Sequence, residues 1–136
     1  QQDCLYLGNL DAERDWGHAG DYVDGMRRIL QHPEPDDFVL ATGLTTSVRD
    51  FTQKAFAVAG IFLKWEGYGA SEIGRDAESG SVRVRIDPAY YRPTEVDFLL
   101  GDASKAREKL GWVPKYELDQ LIEEMVLSDL GRPVST

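Results

Sequence analysis

The chain has 136 residues, 42% of them hydrophobic and 29% charged, which suits one globular domain with a sizeable core. Its formal net charge of -9 argues against nucleic acids and anionic membranes as partners, because both require basic surfaces. The single cysteine, Cys4, excludes an internal disulfide, and no apolar run approaches the roughly 20 residues of a membrane span. We therefore expect a cytoplasmic protein with neither a nucleic-acid nor a membrane partner.

The first half of the chain alternates short apolar runs with helical periodicity. The predicted elements are a buried strand at 4–7, a loop with a brief extended piece at 11–17, and helices at 19–30 and 47–59. Ser47 is the expected amino-terminal cap of the second helix, and Gly60 ends it. Between the helices, residues 38–43 form an apolar run with little alternation, which predicts a strand buried on both faces. Such a strand normally belongs to a larger parallel sheet, and this chain encodes few partners for it.

The second half predicts mixed elements of similar length. They are strands at 61–65 and 82–86, an exposed polar loop at 67–80, a short helix closed by Gly111, a helix at 118–130 and a frayed tail at 131–136. Trp65 and Trp112 are expected to fill the core. Because neither a linker nor a repeat interrupts the pattern, residues 1–136 predict a single α/β domain with α+β character.

Arg92 and Glu95 form the strongest candidate binding pair. An arginine offers a rigid fork of donors for two phosphate oxygens, and a carboxylate three residues later is able to accept both hydroxyls of a ribose. Pro93 favours an extended backbone at Arg92. The alternative is a helix start with proline in the first turn and a first-turn acid, which is favourable for stability alone.

Arg14, Asp15 and Trp16 form a second candidate, since guanidinium and aromatic planes are able to sandwich a base. The alternative is a surface ion pair between Arg14 and Asp15, which is worth little energetically. His18 is expected to be structural, and no metal-ligand spacing is present. Because neither a glycine-rich dinucleotide loop nor a Tyr-x-x-x-Lys pair occurs, we assign no catalytic residue.

Together these stretches resemble the carboxyl-terminal part of GDP-mannose 4,6-dehydratases, a family of extended short-chain dehydrogenases/reductases. The matching stretches are 7–12, 14–19, 21–23, 35–43, 47–49, 87–88, 90–97, 100–102 and 109–112. The likeness runs in order from about Asp3 to Leu130. Gly8-Asn9 and the two arginine motifs together distinguish this family from related sugar-nucleotide enzymes.

The resemblance implies a division of labour. In this family an amino-terminal Rossmann domain holds NADP and the catalytic residues, and the carboxyl-terminal part grips the GDP end of the substrate. By that likeness Arg14 and Arg92 contact the pyrophosphate or base, Glu95 contacts the ribose, and Asn9 lines the nucleotide pocket. The strand at 38–43 would belong to the Rossmann sheet. Glu13, beside Arg14, departs from many relatives and is expected to weaken anion binding locally.

These expectations define three alternatives, the third of which is a degenerate remnant without function. The first is a fragment or truncated form of a GDP-mannose 4,6-dehydratase that recognises GDP-mannose or GDP, holds no cofactor itself and is inactive alone. The second is an interaction module that uses the surface left by the missing Rossmann domain, either to form a homo-oligomer or to bind a separate Rossmann-domain partner.

Overall fold

The computed structural model describes residues 3–90 and 98–133. The elements follow in chain order as β1 (Leu5–Leu7), β2 (Glu13–Asp15), α1 (Ala19–Gln31), β3 (Thr45–Ser47), α2 (Val48–Val58), β4 (Leu63–Glu66), β5 (Ile73–Asp76), β6 (Val82–Ile86), α3 (Ser104–Leu110) and α4 (Leu118–Asp129). One-turn 3-10 helices lie at Gly69–Ser71 and Pro88–Tyr90. This is the mixed α/β architecture that the sequence predicts.

The main sheet has four strands in the order β1-β6-β5-β4. β4, β5 and β6 form an antiparallel meander, and β1 pairs parallel with β6. The strand predicted at 4–7 is confirmed, but its predicted burial is wrong. Leu5 and Tyr6 are 38% and 48% exposed, and within the described residues β1 lies at the edge of the sheet with β6 as its neighbour. The fully buried Val84 of β6 lies inside the sheet.

The prediction of an exposed loop over 67–80 is wrong, because β5 lies within it. Two acidic side chains of this segment accept hydrogen bonds, one from a residue distant in sequence and one from its own turn. Glu72 is buried against Arg49. Asp76 is also buried, and its carboxylate accepts hydrogen bonds from Ser79 Oγ and the Glu78 amide in the turn before β6. These bonds hold the pKa of Asp76 below its usual value.

The four helices lie where periodicity predicts them. Ser47 caps α2 by accepting a hydrogen bond from the Asp50 amide at 3.0 Å, as expected. Gly111 ends α3 in the left-handed region, with φ of 60°. The cap of α1 is His18, whose Nδ1 accepts from the Gly20 amide.

Trp112 organises the core between α1 and α3, as the sequence predicts. Its side chain is 1% exposed and packs with Ala41, Ala103 and Ala106. Its indole Nε1 donates to the Asp21 carbonyl at 2.8 Å, so the polar edge of the ring is satisfied. Trp65 instead lies half-buried on the sheet and donates to Gln53 Oε1.

The strand predicted over Phe38–Gly43 has no ladder partner within the described ranges, so the predicted two-sided burial is wrong for this chain. Leu40 approaches α1, and Ala41 is buried against Gly101. Val39, which precedes both residues, is 53% exposed. A strand requires a neighbouring strand for its backbone groups, and the described part of the chain places none beside this segment.

The single domain over 1–136 stays a prediction, and the last three residues of its predicted tail lie outside the described ranges. Within those ranges, no helix combines the length and apolar character that crossing a lipid bilayer would require.

Candidate functional site

β2 places Arg14 and Asp15 in the wall of a cavity of about 290 Å³. The remaining lining comes from α1, from the segment before β3 and from the segment before α3, and comprises Tyr22, Val39, Leu40, Ala41, Leu99, Leu100 and Gly101. One Arg14 nitrogen, Nη1, donates to the Glu13 carbonyl at 2.8 Å. Residues distant in sequence therefore surround the first predicted binding arginine.

Asp15 joins the walls of this cavity. Its Oδ1 accepts from the Thr42 amide at 2.9 Å and from Thr42 Oγ1 at 2.5 Å. Its Oδ2 accepts from the Gly43 amide at 2.9 Å and from the Gly101 amide at 3.4 Å. The surface role considered for Asp15 from the sequence is therefore wrong, because this half-buried carboxylate is engaged by four donors in two other segments.

The segment from Phe98 to Gly101 runs against β2. Phe98 forms a parallel bridge with Glu13, and the Leu99 amide donates to the Glu13 carbonyl at 3.2 Å. A Cβ on Gly101 would lie 2.2 Å from the Cβ of Ala41, so only glycine permits this approach. Phe98, the first described residue after the second arginine motif, is therefore held beside Arg14.

Asn9 lies just after β1. Its Oδ1 accepts from the Asp11 amide at 3.0 Å, forming a tight local turn. The preceding Gly8 packs against Tyr90, since a Cβ on Gly8 would lie 2.7 Å from the Tyr90 carbonyl oxygen. Tyr90 is the last described residue before the second arginine motif, so that motif starts beside Gly8-Asn9.

Arg92 and Glu95 lie outside the described residues. The structure places the two described residues that flank this segment. Tyr90 lies beside Gly8, the neighbour of Asn9, and Phe98 lies beside Glu13, the neighbour of Arg14. Two of the four predicted site residues, Asn9 and Arg14, are thus located within the described ranges.

Arg49 supports the Asn9 turn, a role that the sequence analysis missed. Its guanidinium makes a two-bond fork with Glu72, Nε to Oε1 at 2.9 Å and Nη2 to Oε2 at 2.7 Å. It also pairs with Asp11. These carboxylates, Glu72 first, raise the pKa of Arg49 above its ordinary value. The signal was available, because Ser47-Val48-Arg49 is one of the matching stretches, but nothing in it indicates partners so distant.

Tyr22 is a second unpredicted member of the site. Burial first, and then the charges of Asp15 and Asp21, raise the pKa of its hydroxyl above the usual value. Tyr22 is one of the residues that line the Arg14 cavity, and its hydroxyl oxygen packs against Gly17.

Trp16 lines a different and larger cavity of about 510 Å³. Its ring stacks on Phe51 at 4.3 Å, and its Nε1 donates to the Thr46 carbonyl at 2.9 Å. This geometry gives no support to a base sandwich between Trp16 and Arg14. His18 is structural, as predicted, with Nε2 3.1 Å from Glu124 Oε2 and its ring stacked on Tyr116.

The described residues do not fit a nicotinamide dinucleotide. Such a cofactor rests its pyrophosphate on a glycine-rich turn that leads from a parallel strand into a helix. Here β1, the strand paired parallel with β6, leads through Gly8-Asn9 into β2 rather than into a helix.

The fold matches solved chains of the extended short-chain dehydrogenase/reductase class. UDP-glucose 4-epimerase from Thermotoga maritima, solved with UDP-glucose, matches with a TM-score of 0.72 at 20% identity over 94% of this chain and 35% of that one. RMD from Pseudomonas aeruginosa, solved with NADPH, matches with a TM-score of 0.69 at 19% identity over 95% and 36%. The chain thus has the fold of part of an extended short-chain dehydrogenase/reductase.

Sequence similarity is more specific. The model of the GDP-mannose 4,6 dehydratase family matches residues 1–125. The human GDP-mannose 4,6 dehydratase is 54% identical over 130 residues, and the enzyme of Sinorhizobium fredii is 55% identical over 131 residues, each match covering 96% of this chain. The chain belongs to the GDP-mannose 4,6-dehydratase family. It spans 35% and 37% of the lengths of those two relatives.

Proposed function

We propose that this chain is the nucleotide-gripping portion of a GDP-mannose 4,6-dehydratase, and that it binds the GDP part of GDP-mannose. Arg14 and Arg92 hold the pyrophosphate or base, Glu95 the ribose, and Asn9 lines the pocket. The observation that carries the proposal is that Tyr90 packs against Gly8 and Phe98 pairs with Glu13, so the described residues on either side of 91–97 contact the neighbours of Asn9 and Arg14.

Covalent geometry limits how far the second arginine motif extends from the first. Tyr90 packs on Gly8, and Phe98 bridges to Glu13. This restriction supports a common site for all four predicted residues.

The acids nearest Arg14 are engaged by local donors, in a chain whose net charge is -9. Asp15 accepts four hydrogen bonds from neutral donors, although its negative charge remains unfavourable for a bound anion. Glu13, expected to weaken anion binding, directs Oε2 to Thr45 Oγ1 at 2.8 Å. Arg14 then supplies a positive charge in the described lining of the cavity.

The full reaction of the family requires groups in addition to those that bind GDP. In a complete dehydratase, residues beyond this chain would supply the hydride carrier and the acid-base groups, and we propose that this chain has no turnover alone. Its acidic composition and single cysteine support a cytoplasmic setting.

Calorimetric titration with GDP-mannose and GDP tests the binding role. Saturable binding of both ligands is expected, and Arg92→Ala or Arg14→Ala should weaken each at least about tenfold, since a charge-assisted hydrogen bond is worth about 1.5–3 kcal/mol. Arg27→Ala is the matched control, because Arg27 pairs with Asp24 on the exposed side of α1. A folded wild-type chain that gives no heat with either ligand would overturn the proposal.

A second candidate is the interaction module. Val39, Leu99 and Leu100 line one cavity and are 53%, 49% and 50% exposed, beside a segment without a strand partner in the described ranges. Contiguous exposed apolar groups favour self-association or a Rossmann-domain partner. Sedimentation equilibrium of wild type and Val39→Glu distinguishes the two candidates. A concentration-dependent dimer abolished by the substitution would favour the module, and a monomer throughout would count against self-association.

A further inference from the structure

Asp15 occupies a position in the Arg14 cavity that simple electrostatics would not select. A carboxylate beside an anion-binding arginine repels the ligand and so reduces its affinity. Here the carboxylate is half-buried and bonded to Thr42, Gly43 and Gly101. Its presence calls for a geometric explanation.

The geometry supplies one. Asp15 belongs to β2, Thr42 and Gly43 to the segment before β3, and Gly101 to the segment before α3. These are three of the four elements that wall the cavity, and the two oxygens of one carboxylate connect them. Tight packing of Gly101 on Ala41 leaves this arrangement little room to adjust.

We propose that Asp15 is a positioning residue for the nucleotide site, an inference that rests on the proposed GDP-binding function. Its carboxylate holds Phe98–Gly101 in register with Glu13 and thereby fixes the wall that Leu99, Leu100 and Gly101 form beside Arg14. The energetic cost of a negative charge near the ligand is offset by the placement of the groups that bind it.

Asp15→Asn separates the two effects because they have opposite signs. Neutralising a charge beside an anion site tightens anion binding if Asp15 acts only through its field. An amide, however, keeps one acceptor oxygen and turns an NH2 donor toward amides that also donate, so at least one wall is released. Positioning therefore predicts GDP binding about tenfold weaker, in line with the loss of one or two charge-assisted bonds.

Asp76→Asn is the matched control. Asp76 likewise accepts one backbone amide and one hydroxyl, from Glu78 and Ser79, but in the turn between β5 and β6. It does not line the Arg14 cavity. Both variants lose the same kind of bond, and only Asp15→Asn should change the affinity for GDP.

Amide hydrogen exchange provides a readout that is independent of nucleotide. The Leu99 amide is informative because it bonds to the Glu13 carbonyl and not to Asp15. Faster exchange at Leu99 in Asp15→Asn, with unchanged exchange in α4, would show that the carboxylate holds the returning segment.

The experiment is calorimetry with GDP and hydrogen exchange on wild type, Asp15→Asn and Asp76→Asn. Weaker GDP binding confined to Asp15→Asn, with faster Leu99 exchange, supports the proposal. Unchanged or tighter binding by Asp15→Asn, or equal weakening by Asp76→Asn, overturns it. If the wild type itself fails to bind GDP, the proposed function fails; exchange at Leu99 then decides whether Asp15 positions this segment, and an unchanged rate overturns that as well.

Discussion

Arg49 and Glu72 face each other in a two-bond fork, with nitrogen-oxygen distances of 2.9 and 2.7 Å, while the Glu72 side chain is only 8% exposed. The fork joins the first turn of α2 to the start of β5, and the third guanidinium nitrogen pairs with Asp11 beside the Asn9 turn. One arginine thus connects the main sheet to the candidate site.

Arg49→Ala is expected to destabilise the protein by about 2–3 kcal/mol, because it leaves the buried Glu72 carboxylate without its partner. This is below the usual cost for a fully buried pair, since the Arg49 side chain is 25% exposed. The measurement is urea unfolding at pH 7. Arg75→Ala is the control, because Arg75 forms an exposed fork with Glu66 and should cost no more than about 1 kcal/mol. Equal losses for the two variants would contradict this assignment.

Gly101→Ala should cost about 1–3 kcal/mol and weaken GDP binding, since the new Cβ would meet that of Ala41 at 2.2 Å. The double variant Ala41→Gly/Gly101→Ala removes that clash and should recover part of both losses. Thermal unfolding and calorimetry of the single and double variants provide the measurement. Failure of the second substitution to restore either quantity would show that the close approach is not the cause.

Asp36 should make the free energy of unfolding depend on pH. Hydrogen bonds first from Lys105 and then from Lys109 hold the pKa of Asp36 well below its ordinary value. A carboxyl group with a lowered pKa in the folded state adds stability that is complete above the unfolded pKa of about 4 and is lost as pH falls toward the folded pKa. The stability gap between wild type and Asp36→Asn should therefore be constant from about pH 5 to 7 and shrink below pH 4.

Urea midpoints of wild type and Asp36→Asn across that pH range measure this gap. Replacing both Lys105 and Lys109 with alanine should remove the same pH-dependent component, because these side chains are its source. A gap that stays constant down to pH 3 would exclude the assigned cause.

The isolated chain should not convert GDP-mannose when NADP is supplied. Neither the cofactor loop nor the Tyr-x-x-x-Lys pair occurs in its sequence, and dehydration at the hexose requires a hydride carrier. Chromatographic assay for the 4-keto product checks this. Turnover that co-purifies with the chain and disappears in Arg92→Ala would contradict the expectation.

Local patterns predicted the helices and their ends. Ser47 starts α2 and Gly111 ends α3 because a cap or a left-handed turn depends on neighbours a few residues away. Arg14 was identified by residue type alone, since a fork of donors beside aromatic groups suits phosphate wherever it folds. The family followed from the same stretches, and the match over residues 1–125 confirms it.

The prediction of an exposed loop over 67–80 was wrong because it depended on contacts between residues distant in sequence. Its acids indicate solvent unless a partner is known, and the partner of Glu72 lies 23 residues away at Arg49. The strand predicted over Phe38–Gly43 was wrong because the prediction rested on apolar content. Apolar content favours a strand, but it does not supply the neighbouring strand that the backbone groups require.

The sequence by itself determined the family, the helices and the residue types capable of gripping a nucleotide, because those depend on composition and short-range spacing. Only the tertiary structure decided that Asp15 is a joint between segments, that Arg49 supports the Asn9 turn, and that Tyr90 contacts Gly8 while Phe98 pairs with Glu13. The partners of Asp15 lie 27 to 86 residues away along the chain. Folding brings such groups within hydrogen-bond distance, and no local pattern carries that information.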